Sequence, residues 1–126
     1  MKILLLVSGV IAVLIGIALL FASGSFMAPM GIAVDAKIAT IAQAQGALLV
    51  ALGATNLLAR GLDARAARPV LAGNLVAQAL SLAVNLRAGM MHLVTPNVWG
   101  AVVMHVVLGA LFAWFLFRPA AKAAAA

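Results

Sequence analysis

The chain contains no cysteine and only two acidic residues, Asp35 and Asp63. The absence of cysteine excludes disulfides, thiolate metal sites, iron–sulfur clusters and thiol redox catalysis in this chain. Neither acid lies within a long apolar segment, so there are no paired carboxylates for catalysis and no buried acid for a proton-coupled exporter. Phosphate-binding glycine loops, Ser–His–acid groups and His-x-x-Glu-His motifs are also missing. The sequence gives no positive indication of an enzyme, and we predict no cofactor and no metal site.

Charged residues of either sign are scarce. They make up 8% of the 126 residues, whereas hydrophobic residues make up 67%. Soluble domains average about 25% charged and about 45–50% apolar residues. Eight basic and two acidic side chains cannot cover a water-soluble domain of this size, so we expect its apolar surface to face lipid. The basic residues are not interleaved with aromatic side chains, and nucleic acid is therefore not expected as a partner.

Four apolar segments are each long enough to cross a bilayer as a helix, which takes about 20 residues. These segments are residues 3–22, 38–59, 70–91 and 98–117. They are rich in alanine and leucine and lack the alternation of a strand. We predict one all-α transmembrane domain over residues 1–126, a polytopic four-helix bundle. A loop over residues 23–37, with Pro29 and Gly31, and a basic turn over residues 60–69 connect its helices.

The basic residues are divided unequally between the two ends of the predicted bundle. Six fall at one end and two at the other: Lys2, Arg60, Arg65, Arg68, Arg118 and Lys122 against Lys37 and Arg87. The positive-inside rule then predicts that both termini and the 60–69 turn are cytoplasmic and that the 23–37 loop is outside.

The first apolar segment has an alternative interpretation as a cleaved signal peptide. Lys2, the apolar segment and Ala22-Ser23-Gly24-Ser25 resemble the three regions of such a peptide. Signal peptides have apolar regions of about 7–15 residues, however, and this one has about 20. We therefore expect a retained first helix.

Polar residues of the third segment lie on one helix face. Asn74, Gln78, Ser81 and Asn85 are spaced four, three and four residues apart, and His92 continues the row. One interpretation is hydrogen bonding between helices, which is the commoner use of such groups in membranes. The other is the lining of a polar cavity.

Depth along the helices predicts a polar layer in the outer half of the bundle. With a rise of about 1.5 Å per residue, Gln45, Asn85 and His105 each lie roughly 10 Å below the outer boundary. Gln43 and Arg87 lie slightly nearer the outer surface. These five residues are the candidate ligand-binding set.

Two further residues, Asp35 and His92, are candidates for the rim of this layer. Arg87 either extends outward to the interface or pairs with Asp35, the only acid expected on that side. His105 belongs to a small-residue stripe with Ala101 and Gly109, so we expect it to face a neighbouring helix as a neutral, hydrogen-bonded side chain.

Glycines recur seven residues apart in the first two segments, at Gly9 and Gly16 and at Gly46 and Gly53. Such small faces allow close helix packing. The favoured interpretation is packing within the bundle, and the alternative is the seam of a homodimer.

Several motifs between Phe21 and Arg87 occur in a familiar order. They are the apolar loop with Pro29 and Gly31, Gln45-Gly46-Ala47-Leu48-Leu49 with Leu52-Gly53, and Asn85-Leu86-Arg87. In this order they resemble the DoxX-like family of small bacterial membrane proteins. The resemblance implies a four-helix bundle in the bacterial inner membrane, and no functional residue is carried over from it.

The residues and the resemblance together predict a non-enzymatic accessory or interaction protein. It would bind a lipid, a quinone or a small apolar molecule in the polar layer. One alternative is a small oligomeric transporter or channel, and a second is a membrane enzyme acting on an outer-leaflet substrate. The expected partners are membrane lipid and either further copies of the chain or a larger membrane complex.

Overall fold

A computed structural model describes residues 1–118, and the regular structure within them is entirely helical. The helices are α1 (Lys2–Met27), α2 (Ala36–Ala59), α3 (Arg68–Met90) and α4 (Val98–Phe117), with a short 3-10 segment at Ala28–Met30. All four are long and apolar enough to cross a membrane. The prediction of an all-helical fold with four helices is confirmed for this part of the chain. Lys122, assigned above to the basic end, lies outside the described residues.

The loop expected over residues 23–37 is shorter than predicted. Helix α1 continues to Met27 through a kink at Ala22, whose backbone has φ −142° and ψ 37°. Gly24 falls within the predicted loop but remains helical, which costs only about 1 kcal/mol relative to alanine. The helix ends just before Pro29, which cannot donate a backbone hydrogen bond, and Gly31 then takes the left-handed φ of 76°.

Helices α2 and α3 each begin two residues earlier than expected. Asp35 caps α2, because its Oδ1 accepts the Ile38 N–H at 2.8 Å. Pro69 lies in the first turn of α3, where a missing N–H costs nothing. The Asp35 cap and the position of Pro69 are compatible with helices that extend into segments that composition alone assigned to loops.

The turn between α2 and α3 is organised by Asp63. Its Oδ1 accepts the backbone N–H groups of Ala66 at 2.9 Å and Arg65 at 2.8 Å. These two hydrogen bonds, that from Ala66 first, lower the pKa of Asp63. One of the two acids in the sequence is thus used to hold a turn.

Helices α1 and α2 pack with their backbones in direct contact at two glycine pairs. A Cβ at Gly16 would lie 2.6 Å from the carbonyl oxygen of Gly46, and a Cβ at Gly46 would lie 2.6 Å from that of Gly16. At the second pair, a Cβ at Gly53 would lie 2.7 Å from the carbonyl oxygen of Gly9. The favoured interpretation of these glycines, packing within the bundle, is confirmed.

The four helices form two hairpins. Helix α1 packs extensively on α2, and α3 packs extensively on α4, whereas the hairpins touch each other only locally. The main contact between them is a core at the end of the bundle that carries Lys2 and Arg60, here called the basic end. The core residues are buried and apolar: Leu4, Leu5, Ala59, Leu71, Leu108 and Phe112.

The glycine pairs should be intolerant of even one methyl group. We expect Gly46→Ala to destabilise the protein by about 1–3 kcal/mol, because its Cβ meets backbone atoms that cannot move aside. Thermal unfolding in mild detergent, followed by circular dichroism, measures the effect.

The matched control is Gly73→Ala on α3, where an added Cβ has no atom within 4 Å. This variant should be as stable as the wild type or gain up to about 1 kcal/mol from helix propensity. Equal melting temperatures for the two variants would contradict the close packing of α1 on α2.

Candidate functional site

A cavity of about 520 Å³ lies between the two hairpins. Its volume falls within the range of about 300–1,000 Å³ typical of small-molecule sites. All four helices contribute to its wall, and the 3-10 segment contributes Met30. The apolar part of the wall consists mainly of residues from α1 and α2: Ile11, Ala12, Ile15, Leu19, Leu49 and Leu52.

One side of the cavity is polar and is formed mainly by α3 and α4. His105 on α4 and Gln78 on α3 are joined by a hydrogen bond of 2.7 Å between Nδ1 and Oε1. An amide oxygen only accepts, so Nδ1 carries the proton and a neutral His105 retains Nε2 as an acceptor. Asn85 donates to the backbone carbonyl of Ser81 at 2.8 Å, and both residues line the same wall.

The floor of the cavity is a buried network of three polar side chains. Asn56 on α2 and Asn74 on α3 form a reciprocal amide pair, with N···O distances of 2.9 and 2.6 Å. Asn56 also donates to Ser8 Oγ on α1 at 3.2 Å. The exposed fractions of Asn56 and Asn74 are 0% and 1%, so these bonds form away from solvent. The network links three helices at the level where the cavity meets the apolar core.

The roof of the cavity lies at the opposite end of the bundle, here called the distal end. Phe26 and Met30 line the cavity from above. The carbonyl oxygen of Pro29 accepts two hydrogen bonds from the α3–α4 turn, one from Thr95 Oγ1 at 2.7 Å and one from Asn97 Nδ2 at 2.8 Å. These bonds fasten the segment after α1 to the second hairpin.

The side of the cavity between α2 and α3 is not covered by the fold. Gln45 on α2 and Leu80 and Val84 on α3 line the cavity and are also exposed at the surface. The exposed fractions of Leu80 and Val84 are 65% and 68%. The site therefore opens sideways, with one amide at an otherwise apolar rim.

Three of the five predicted site residues line the cavity: Gln45, Asn85 and His105. The other two, Gln43 and Arg87, are exposed and do not line it. Each lies two positions from a lining residue, and two positions along a helix correspond to a rotation of about 200°. Gln43 therefore points away from Gln45, and Arg87 points away from Asn85.

The two predicted rim residues have local structural roles at the distal end. Asp35 caps α2, and within residues 1–118 the structure contains no ion pair between it and Arg87. His92 is exposed and has a left-handed φ of 53°. Its N–H bonds to Gly89 O and the Leu93 N–H bonds to Ala88 O, which is the Schellman arrangement that ends a helix.

The row of polar residues on α3 serves both of the purposes considered from its spacing. Asn74 and Gln78 bond to side chains of neighbouring helices, and all four residues from Asn74 to Asn85 line the cavity. Sequence reasoning missed Asn56 as the partner of Asn74 and Ser8 as a further partner of Asn56. All three lie within two turns of the basic end of their helices, so matching residues by depth at that end would have found them.

The described residues contain no cluster of side chains suited to binding a metal ion. Within residues 1–118 no three His, Asp or Glu side chains lie close enough together to hold a metal ion. The polar side chains that face the cavity are amides, hydroxyl groups and one imidazole. Their chemistry is the donation and acceptance of hydrogen bonds.

The buried amide pair should show energetic coupling. Removing one partner leaves the other amide unsatisfied, so we expect Asn56→Ala and Asn74→Ala each to cost about 1–3 kcal/mol. The double variant should cost less than the sum of the two by about 0.6–1.7 kcal/mol. Thermal unfolding in detergent of the wild type, the two single variants and the double variant measures this coupling as a double-mutant cycle.

A third amide substitution, Gln43→Ala on the exposed face of α2, is the control and should leave stability nearly unchanged. Strictly additive effects of the Asn56 and Asn74 substitutions would show that the reciprocal bonds contribute nothing.

Comparison with known proteins adds no relative: no family model, no curated protein and no solved structure matches this chain. The resemblance to DoxX-like proteins therefore stays a prediction, and the site has to be interpreted from its own geometry.

Proposed function

We propose that this chain is a multi-pass protein of the bacterial inner membrane that binds a small amphipathic molecule between its two hairpins. The observation that carries this proposal is the cavity of about 520 Å³, which combines an apolar wall with a polar one. In this proposal the protein is not an enzyme and acts as a binding or accessory subunit. The DoxX-like motifs support the bacterial inner membrane as its location.

The surface of the helices supports insertion in a bilayer. Large apolar side chains are exposed along all four helices, including Phe21, Leu58, Val84 and Phe117. In water this surface would drive aggregation, whereas in lipid it is the ordinary outer face of a bundle. The basic end carries most of the cationic residues, so we place both termini in the cytoplasm.

The cavity lining indicates the chemistry of the ligand. Ile11, Ile15, Leu49 and Leu52 provide contacts for an aliphatic or aromatic body. His105 Nε2 is an acceptor, which suits a hydroxyl group, and the Gln45 amide both donates and accepts. Among residues 1–118 no charged side chain lines the cavity, so a neutral amphiphile suits it better than an ion.

The sideways opening between α2 and α3 gives such a molecule a route from the bilayer. Leu80 and Val84 at the rim are compatible with lipid chains, and Gln45 is the first polar group that an arriving hydroxyl would reach. An amphiphile dissolved in the membrane can thus enter the site without passing through water.

A channel, the main alternative, receives less support. The polar row that runs from Asn85 past Gln78 ends at Asn74, whose amide is bonded to Asn56. Below that pair, Leu5 and Phe112 are fully buried in the core of the basic end. The cavity has a closed floor, and a pore would require the amide pair and the core to separate.

The orientation can be measured directly, because the chain has no cysteine of its own. We expect Leu93→Cys at the distal end to react with a membrane-impermeant maleimide in intact bacterial cells. Ala64→Cys in the turn between α2 and α3 should react only after the membrane is permeabilised. Reaction of both sites in intact cells, or of neither after permeabilisation, would contradict the proposed topology.

Ligand binding can be tested with dodecanol that carries a photoreactive diazirine on its chain. In detergent-solubilised protein, we expect the label to map to the peptides containing Ile11–Ile15 and Leu49–Leu52 and to be displaced by excess dodecanol. Ala101→Phe, which fills the cavity from α4, should abolish this labelling.

The matched control is Ala110→Phe, which adds the same ring at an exposed position of α4. Its labelling should equal that of the wild type. Labelling that is confined to the outer faces of the helices and cannot be displaced would refute the cavity as a binding site.

A further inference from the structure

A second, separate cavity lies at the basic end of the first hairpin. This groove has a volume of about 290 Å³ and is lined by Lys2, Ile3 and Leu6 of α1 and by Arg60 and Gly61 after α2. Since α1 and α2 are held together by the glycine pairs, the start of one helix and the end of the other lie side by side. Two cationic side chains therefore line one small groove.

The charge of this groove is not balanced by the chain. Its lining contains no acid, and within residues 1–118 neither Lys2 nor Arg60 forms an ion pair with a carboxylate. The nearest acid in sequence is Asp63, and its Oδ1 already accepts the N–H groups of Arg65 and Ala66. Two like charges at the edge of an apolar bundle favour an external anion between them.

An exposed apolar row continues from the groove along the outer face of α1. It consists of residues three, four or seven positions apart: Ile3, Val10, Leu14, Ile17 and Phe21. The exposed fraction is 76% at Ile3 and 83% at Phe21. This row begins beside the two cations and runs toward the distal end. Its first three turns, from Ile3 to Leu14, cover about 16 Å, which is about the depth of one leaflet in a hydrocarbon core about 30 Å thick and so matches one acyl chain.

We propose that the groove binds the headgroup phosphate of an anionic phospholipid, with an acyl chain along the apolar row of α1. Lys2 and Arg60 contact the phosphate, and Ile3 and Leu6 contact the start of the chain. A free phosphate ion would use only the two cations and leave the apolar lining without a function. The proposal rests on membrane insertion but is independent of a ligand in the cavity between the hairpins.

Native mass spectrometry of the full chain, released from nanodiscs that contain equal amounts of phosphatidylglycerol and phosphatidylcholine, tests the proposal. We expect the wild-type protein to retain phosphatidylglycerol preferentially. K2Q combined with R60Q should reduce that preference by about fivefold for each cation removed. Both side chains are exposed, so the variant should melt at the wild-type temperature, which the same preparation can verify.

The control is K37Q combined with R87Q, which removes the same charge from the distal end and should keep the preference. An equal loss in the two double variants would reduce the effect to net charge and overturn the site. Equal retention of the two lipids by the wild type would also overturn it. Displacement of phosphatidylglycerol by millimolar inorganic phosphate would assign the groove to a free anion instead.

Discussion

The backbone contact between α1 and α2 is the constraint on which the other features depend. In lipid, helices gain little from burying apolar side chains against each other, so close packing and hydrogen bonds must hold a bundle together. The Gly16–Gly46 and Gly9–Gly53 pairs bring the two backbones within van der Waals contact. They turn the first half of the chain into one unit whose polar and apolar faces have fixed directions. The apolar row of α1, the wall of the cavity and the groove at Lys2 and Arg60 are three faces of that unit.

The second hairpin is joined to the first mainly at its ends. At the basic end the apolar core and the Asn56–Asn74 pair connect them, and at the distal end Pro29 O accepts hydrogen bonds from Thr95 and Asn97. Between these two attachments the hairpins diverge enough to leave the cavity. A site closed at both ends and accessible at the side favours binding from the bilayer, because the floor has no opening for an ion or a solute.

Much of the fold follows from the sequence because helix length and apolar content are one-dimensional properties. The glycine spacing identified the packing face for the same reason. Only part of the site could be predicted, because the prediction used the depth of each residue along its helix. It left out the direction in which each side chain points around the helix axis. Gln45 and Asn85 line the cavity, whereas Gln43 and Arg87 lie two residues away on the same helices and point elsewhere. Predicting the Asn56–Asn74 pair requires the rotation of α2 relative to α3, which the sequence does not show. His92 was predicted as a rim residue, but its left-handed conformation ends α3.

We propose that a neutral amphiphile binds in the space between the hairpins. Solution NMR of the protein in nanodiscs, with labelled isoleucine and leucine methyl groups and unlabelled dodecanol, tests it most directly. If dodecanol binds in the cavity, we expect nuclear Overhauser effects from its chain to Ile11, Ile15, Leu49 and Leu52 and a shift of the His105 imidazole signals. Contacts restricted to Ile3, Leu14 and Ile17 on the outer face of α1, with unchanged His105 signals, would contradict it.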